Sequence, residues 1–233
     1  MRNNNSLEAL AGLLWENLAL PAFHSSESHT PVLALEGHNG AGKSTIATLI
    51  CEFFNKDVHL GVPDLFLADG RKYRMIAEAN WQSSALYFLS GVIDKIRELR
   101  MLSHPEDFHL IERSLWSTLS SHASEDPDRL AKLVAVIHKM GIECCEPDYT
   151  IVLTATFEHC YQRIQLKKSE EEKALDFLVT HEAYYLKEAL FYRWLKQQRP
   201  KRVYEIDVTG RESVDVFRED ILPILSKFNG EKR

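Results

Sequence analysis

The sequence predicts a three-layer α/β fold, with a five-stranded parallel sheet between two layers of helices. Two observations predict it. Five short apolar runs alternate with stretches of helical periodicity, the pattern of strands buried on both faces of a parallel sheet. The first run leads straight into a glycine-rich loop, and a helical pattern begins where that loop ends.

The elements follow in order. VLALE (32–36) is a buried strand, and the helix after Lys43 runs to about Asn55. DVHL (57–60) is a short second strand, followed by a loop of turn residues, GVPDLFLADGR. The spacing predicts one long helix over 72–102, with Pro105 beyond its end. FHLIE (108–112) is the third strand, and a helical segment starts near Asp126 and stops at Gly141. YTIVLTA (149–155) is the fourth strand, followed by helical stretches over 157–168 and 172–198. RVYEID (202–207) is the fifth, and a last helix covers 212–228.

Ahead of the first strand, Leu7, Leu10, Leu13, Leu14 and Leu18 recur at helical spacing. They predict an amphipathic helix over 6–20 that packs on the main fold, with partner binding as the alternative role. HSSESHTP (24–31) reads as a linker. The division is therefore an N-terminal extension and linker over 1–30 and a single domain over 31–233.

The 233 residues suffice for one large α/β domain, and 45% hydrophobic with 27% charged content suits a globular one. A net charge of −6 argues against binding a nucleic acid polymer, which needs a basic surface. No apolar run approaches the roughly 18 residues of a membrane span. Glu8 and Glu16 interrupt the apolar N-terminus, unlike a secretory signal. Cys51, Cys144, Cys145 and Cys160 lack zinc-site spacing, and the adjacent pair would close only a strained disulfide. A cytoplasmic protein with reduced thiols is the expectation.

Gly37-His38-Asn39-Gly40-Ala41-Gly42-Lys43-Ser44 matches GxxxxGK(S/T). At average residue frequencies such a match arises by chance about once in a hundred chains of this length. The strand before it and the helix after it are what the mechanism requires. The glycines let backbone N–H groups curl round a phosphate, and the helix N-terminus adds partial positive charge. Lys43, expected at an exposed site, reaches the outer phosphates. The Ser44 hydroxyl can ligate Mg²⁺, and Thr45 completes the binding stretch. This is a P-loop, and it holds a nucleoside triphosphate.

The third strand ends in IERSLWS (111–117). Glu112 at its carboxyl end can hold Mg²⁺, directly or through water. Arg113 can face a transferred phosphoryl group, a surface ion pair being the alternative reading.

EGxxGAGKST (36–45) followed by ERS (112–114) resembles the deoxynucleoside kinase and thymidylate kinase superfamily of P-loop kinases. NWQSSALYFLS (80–90) is similar to the helix with that family's base-reading glutamine, here Gln82. PDYTIVLTATFEHCYQRIQLKK (147–168) is similar to its segment leading into a helical lid, and HEAYYL (181–186) to the next helix. The resemblance implies the sheet order 2-3-1-4-5, ATP with Mg²⁺, and a small nucleoside or nucleotide acceptor. A homodimer is compatible with it.

Residue by residue, the resemblance implies that Arg163 is the lid cation on the phosphates, with Lys167 and Lys168 beside it. Glu172 in SEEE falls where the family places a sugar-contacting glutamate. Asp64 in the loop after the second strand is the candidate general base, and Asp69 is second. Tyr73 and Arg74 can reach a sugar or phosphate, an exposed helix position being the alternative for Arg74. Two departures stand out. Leu89, Thr118 and Leu119 occupy positions where many deoxynucleoside kinases carry charged base readers. The arginine-bearing EPGG loop of thymidylate kinases is missing.

The most concrete reading is ATP-dependent phosphoryl transfer to a deoxynucleoside 5′-hydroxyl. The alternatives are a thymidylate-like monophosphate kinase, another small-molecule kinase, or an ATP-binding regulatory switch. His104, His138 and His159 read as surface or helix histidines, and Trp81, Trp116 and Trp194 as core or pocket wall.

Overall fold

The structure, a computed structural model, describes residues 15, 17–21, 30–102, 108–140, 146–166 and 181–230. Its sheet has the strands β1 (Val32–Gly37), β2 (Val58–Leu60), β3 (His109–Glu112), β4 (Tyr149–Thr154) and β5 (Val203–Asp207). Their order is β2-β3-β1-β4-β5, as the family resemblance implied, and every pairing is parallel, as the alternating runs predicted. The helices are α1 (Lys43–Phe54), α2 (Asp64–Leu67), α3 (Arg71–Ala77), α4 (Trp81–Met101), α5 (Leu115–Glu125) and α6 (Pro127–Lys139). Then follow α7 (Phe157–Gln165), α8 (Glu182–Gln198), α9 (Ser213–Val216) and α10 (Leu222–Gly230), the last two joined through a π turn.

Side-chain alternation along β1 divides the interior into two cores. Val32 and Ala34 point into one, filled by α4, α5, α6 and α8. Leu33 and Leu35 point into the other, filled by α1, α7 and the C-terminal helices. Every β1 residue is buried, because the strand is central and both its faces are covered. Trp15 and Leu20 belong to the first core. Trp15 packs on Phe191 and Trp194 of α8, and Arg199 donates to the carbonyls of Leu20 and Pro21. The rest of the expected N-terminal helix lies outside the described residues, as do Cys144 and Cys145. Cys51 and Cys160 are free thiols. Among the described residues, no helix is long and apolar enough to cross a membrane.

Three local expectations are corrected. The helix expected over 72–102 is broken between α3 and α4. Asn80 takes an extended conformation, and its side chain accepts from Ser83 N–H. An asparagine cap competes successfully with continued helix. The loop over 61–71 contains α2 and a 3-10 turn at Ala68–Gly70; Phe66 stacks on Tyr87, whose hydroxyl donates to its carbonyl at 2.5 Å. The third is α5, which the serine-rich LWSTLSSHASE concealed. Leu115, Leu119 and Ala123 form its buried stripe, and Ser121 satisfies itself on the Ser117 carbonyl.

Gly37 ends β1 at φ +126°, where only glycine is comfortable, and a Cβ there would fall on the Leu153 carbonyl oxygen of β4. We expect Gly37→Ala to lower stability in urea unfolding by about 3 kcal/mol, combining backbone strain with overpacking. An unchanged midpoint would mean that β1 and β4 are spaced more widely at this end.

Candidate active site

The phosphate loop begins where β1 ends and is shaped by close backbone approach. Gly40 stands at φ +83°, and a Cβ on it would meet the Cys160 carbonyl oxygen at 2.5 Å. Helix α7 thus closes directly on the loop. It also brings Arg163, whose Nη1 lies 3.1 Å from where a Gly42 Cβ would stand. The nearby Cys160 thiol is pushed up to about 11, chiefly by burial.

Lys43 is buried at 5% exposure, which corrects the expectation of an exposed lysine. Its ammonium donates to the carbonyls of Gly37 and His38, both at 2.8 Å. Burial, helped by the charge of Arg113, lowers its pKa to about 7 against the opposing pull of Glu112, Glu188 and Glu36. The side chain curls back because its own loop carries carbonyl oxygens within reach of a cation short of partners.

The end of β3 supplies the next groups. The parallel register sets Glu112, the last residue of β3, beside Leu35, two residues before β1 ends at Gly37. Ser44 Oγ, in the first turn of α1, donates to Glu112 Oε1 at 3.1 Å. Arg113 then turns to φ +65°, a left-handed conformation unusual for a side-chain-bearing residue. Its N–H donates to the Leu35 carbonyl at 3.1 Å, and its guanidinium hydrogen-bonds Asn39 Oδ1 of the loop. Burial opposes its charge, but Tyr192, Glu188, Glu36 and Glu112 together hold its pKa above the ordinary value.

Sequence reasoning missed the carboxylates behind these cations. Glu36 of β1 is fully buried and accepts from Ser114 N–H at 2.7 Å and Ser114 Oγ at 2.6 Å. It also accepts from Ser117 Oγ and, at 3.3 Å, from Tyr192 Oη. Glu188 of α8 accepts from His38 Nδ1 at 2.7 Å. Burial pushes the Glu188 carboxyl up, but the bond and charge of His38, with Arg113 and Lys43, outweigh it and lower the pKa. Glu36 was visible as the acid before the motif. Glu188 stands 150 positions from His38 and gave no local signal.

The acceptor-side candidates are less enclosed. Gly61 N–H donates to the Glu112 carbonyl at 2.9 Å, and a Cβ on Gly61 would strike the Arg113 carbonyl. Asp64 opens α2 three residues later and is exposed. Asp69 pairs with Arg71 at 3.7 Å, and Arg74, also exposed, donates to the Asp69 carbonyl. Tyr73 stands in α3. Gln82 is exposed in the first turn of α4, on the helix face of Leu89. The chain runs from β2 back to β3 through α4, so that helix starts at the sheet edge where the strands end. Leu89 and Leu119 are core residues, and Thr118 is buried. Lys167, Lys168 and Glu172 lie outside the described residues, as does His104; Trp116 and Trp194 are fully buried core.

The donor set fits a magnesium nucleotide. A hydroxyl and a carboxylate at 3.1 Å offer hard oxygen ligands, and Mg²⁺ takes one or two such groups plus phosphates and water. Three cations, Lys43, Arg113 and Arg163, surround a loop whose backbone is bent by positive-φ glycines, the geometry of an anion cradle.

Fold and site together define a P-loop phosphotransferase. A thymidylate kinase family model matches residues 35–205, well over half of the chain, and the chain belongs to the thymidylate kinase family. It is a nucleoside or nucleotide kinase. Among solved structures, it resembles thymidylate kinase from Candida albicans, with a TM-score of 0.65 and 15% identity over 88% of this chain and 95% of that one. Thymidylate kinase from Ehrlichia chaffeensis is similar at 0.56 and 17% identity, over 85% and 99% of the two chains. Deoxyadenosine kinase from M. mycoides, solved with bound dATP, is similar at 0.59 and 16% identity, over 85% and 100%. At these identities the likeness speaks for the fold alone. No curated protein matches the sequence.

Two expectations follow for Lys43. Lys43→Met should lower kcat/KM for ATP by roughly 10²–10³-fold, the scale of one preorganised donor, while leaving the melting temperature unchanged or higher, because a desolvated cation is removed. In the native protein the free lysine is charged below about pH 7 and loses its proton above it. Because kcat/KM reports the free enzyme, it should fall as pH rises through this value, while kcat, measured with phosphates bound, does not. A flat kcat/KM from about pH 6 to 9 would contradict this.

Proposed function

We propose that the chain transfers the γ-phosphoryl group of ATP to the 5′-hydroxyl of a deoxynucleoside. The observation that carries this reading is the seat of the segment after β2. Gly61 is bonded to Glu112 and leaves no room for a side chain against Arg113. The carboxylate of Asp64 therefore belongs to a segment anchored beside the residue read as the phosphoryl-binding arginine.

In this reading Lys43 and the loop amides hold the β- and γ-phosphates, and Ser44 and Glu112 would hold Mg²⁺. When bound there, the metal would supply positive charge that neutralises the phosphates of ATP. Arg113 and Arg163 face the equatorial oxygens of the phosphoryl group as charge spreads over them. The acceptor oxygen bonds to γ-phosphorus as the bond to the ADP oxygen breaks, and the hydroxyl proton passes to Asp64. Gln82 offers an amide that can give and take a hydrogen bond with a nucleobase. The reading is of a cytoplasmic enzyme, in keeping with free thiols at Cys51 and Cys160.

A second reading, transfer to a nucleoside monophosphate, is favoured by the thymidylate kinase family match. An acceptor phosphate is already ionised and needs no base, so Asp64 would then orient a cation instead.

Nucleosides and nucleoside monophosphates, assayed in parallel for ADP release, separate the two. We expect turnover with nucleosides, and expect Asp64→Asn to reduce kcat by roughly 10²–10⁴-fold with little change in ATP affinity. Turnover confined to monophosphates, with near-normal Asp64→Asn kinetics, would establish the second reading.

A further inference from the structure

His38 follows Gly37 in the phosphate loop, yet its ring turns inward and is 1% exposed. It stacks on Tyr185 with centroids 4.1 Å apart and meets Tyr192 edge-on at 6.1 Å. Its Nδ1 lies 2.7 Å from Glu188 Oε2, and its Nε2 has no hydrogen-bond partner among the described residues. Among the described residues, the polar attachment of this ring is therefore the one bond to Glu188. A leucine would fill an aromatic-walled site without the desolvation that a buried His–Glu pair incurs.

What the pair adds is direction. The carbonyl of His38 is one of the two oxygens that receive the Lys43 ammonium, and the carbonyl of Gly37 is the other. Fixing the His38 ring fixes the peptide units on which Lys43 rests. The Glu188 carboxylate also interacts electrostatically with Lys43 and Arg113, so it opposes the mutual repulsion of the two cations. Glu188 stands on α8, one turn before Tyr192, whose hydroxyl reaches Glu36. One helix thereby grips the phosphate loop at its first residues and the strand that leads into it.

We propose that Glu188 is a positioning residue for phosphoryl transfer, acting through His38 to fix the loop carbonyls that hold Lys43 and so presenting its ammonium to the outer phosphates of the donor. This rests on the reading of Lys43 as the phosphate-binding lysine.

The test is a double-mutant cycle with Glu188→Leu, His38→Leu and the double variant His38→Leu/Glu188→Leu, plus Glu188→Gln. Each is assayed with the acceptor that wild type turns over fastest, for binding of the fluorescent donor mant-ATP with Mg²⁺, and for melting temperature. Glu188→Gln keeps an acceptor oxygen for His38 and the side-chain volume. We expect it to fold normally, to change KM for ATP less than about threefold, and to lose about tenfold in kcat, a modest misplacement. Glu188→Leu should lose more. The double variant, apolar throughout, should melt near wild type and yet lose no more kcat than the worse single variant, because the two residues act as one unit. Additive losses, or wild-type kcat in a well-folded double variant, would overturn the proposal. Lys43→Met serves as the control. If it remains active, the underlying reading of the P-loop lysine fails; if it is inactive while the Glu188 variants are normal, the positioning role alone fails.

Discussion

The site depends on one buried carboxylate. Glu36 has no exposure to water, and an unpaired charge there would be prohibitive. It is satisfied instead by the backbone and hydroxyl of Ser114, the hydroxyl of Ser117 and that of Tyr192. Those donors come from the start of α5 and the middle of α8, so meeting the needs of one side chain on β1 brings two helices to the end of the strand. The phosphate loop starts one residue later. An anion at a helix N-terminus is itself favourable, which suits Glu36 to tying down α5. The same arrangement forces the chain between β3 and α5 through a sharp turn, and Arg113 takes up the left-handed conformation that the turn requires. A local strain of about 1–3 kcal/mol persists because the surrounding bonds determine the turn more strongly than the residue resists it.

Charge balance is the second consequence. Lys43 and Arg113 lie close enough for each to be felt by the other, which would be costly in a buried site. Glu36, Glu112 and Glu188 offset that repulsion. The cations are thus held by groups of the protein itself: Lys43 by the Gly37 and His38 carbonyls, and Arg113 by Asn39. The carboxylates and Tyr192 around Arg113 hold its pKa above the ordinary value, whereas burial lowers that of Lys43 to about 7. A guanidinium suits the position of Arg113, since it spreads its charge and has donors left over after engaging Asn39.

The sheet and the phosphate loop were legible in the sequence because both are local signals. A run such as VLALE declares a doubly covered strand, and GxxxxGKS declares the turn that follows. The helix Leu115–Glu125 was not legible, because its serines lower helix propensity and because its cap Ser114 and its own Ser117 are satisfied by Glu36, far away in the chain. The break at Asn80 rests on a single capping bond within an otherwise continuous helical period. The burial of Lys43 follows from a loop curled back on itself, which periodicity does not encode. The Glu188–His38 pair joins residues that no spacing rule relates. What pattern reading recovers is the local vocabulary; what it loses is the pairing of buried polar groups, which only the assembled core decides.

The two halves of the cleft are built on different principles, and this bears on how an acceptor is chosen. On the donor side, backbone lies against backbone. Gly37 sits on β4 and Gly40 on α7, with no room for a methyl group at either. Such a site suits a ligand part that never varies, the triphosphate. On the other side Asp64, Arg74 and Gln82 are exposed, on short helices and helix ends. Leu89 and Leu119, at positions where many deoxynucleoside kinases carry charge, are sealed into the core and present no polar group to a base. Base discrimination, on the proposed reading, then falls to Gln82 and to the shape of its surroundings. An amide can satisfy more than one base edge by rotating, and a hydrophobic wall rejects a misfit by only about 1–3 kcal/mol. A fixed donor site beside such a permissive acceptor site favours a kinase that tolerates several related nucleosides over one that is specific for a single base.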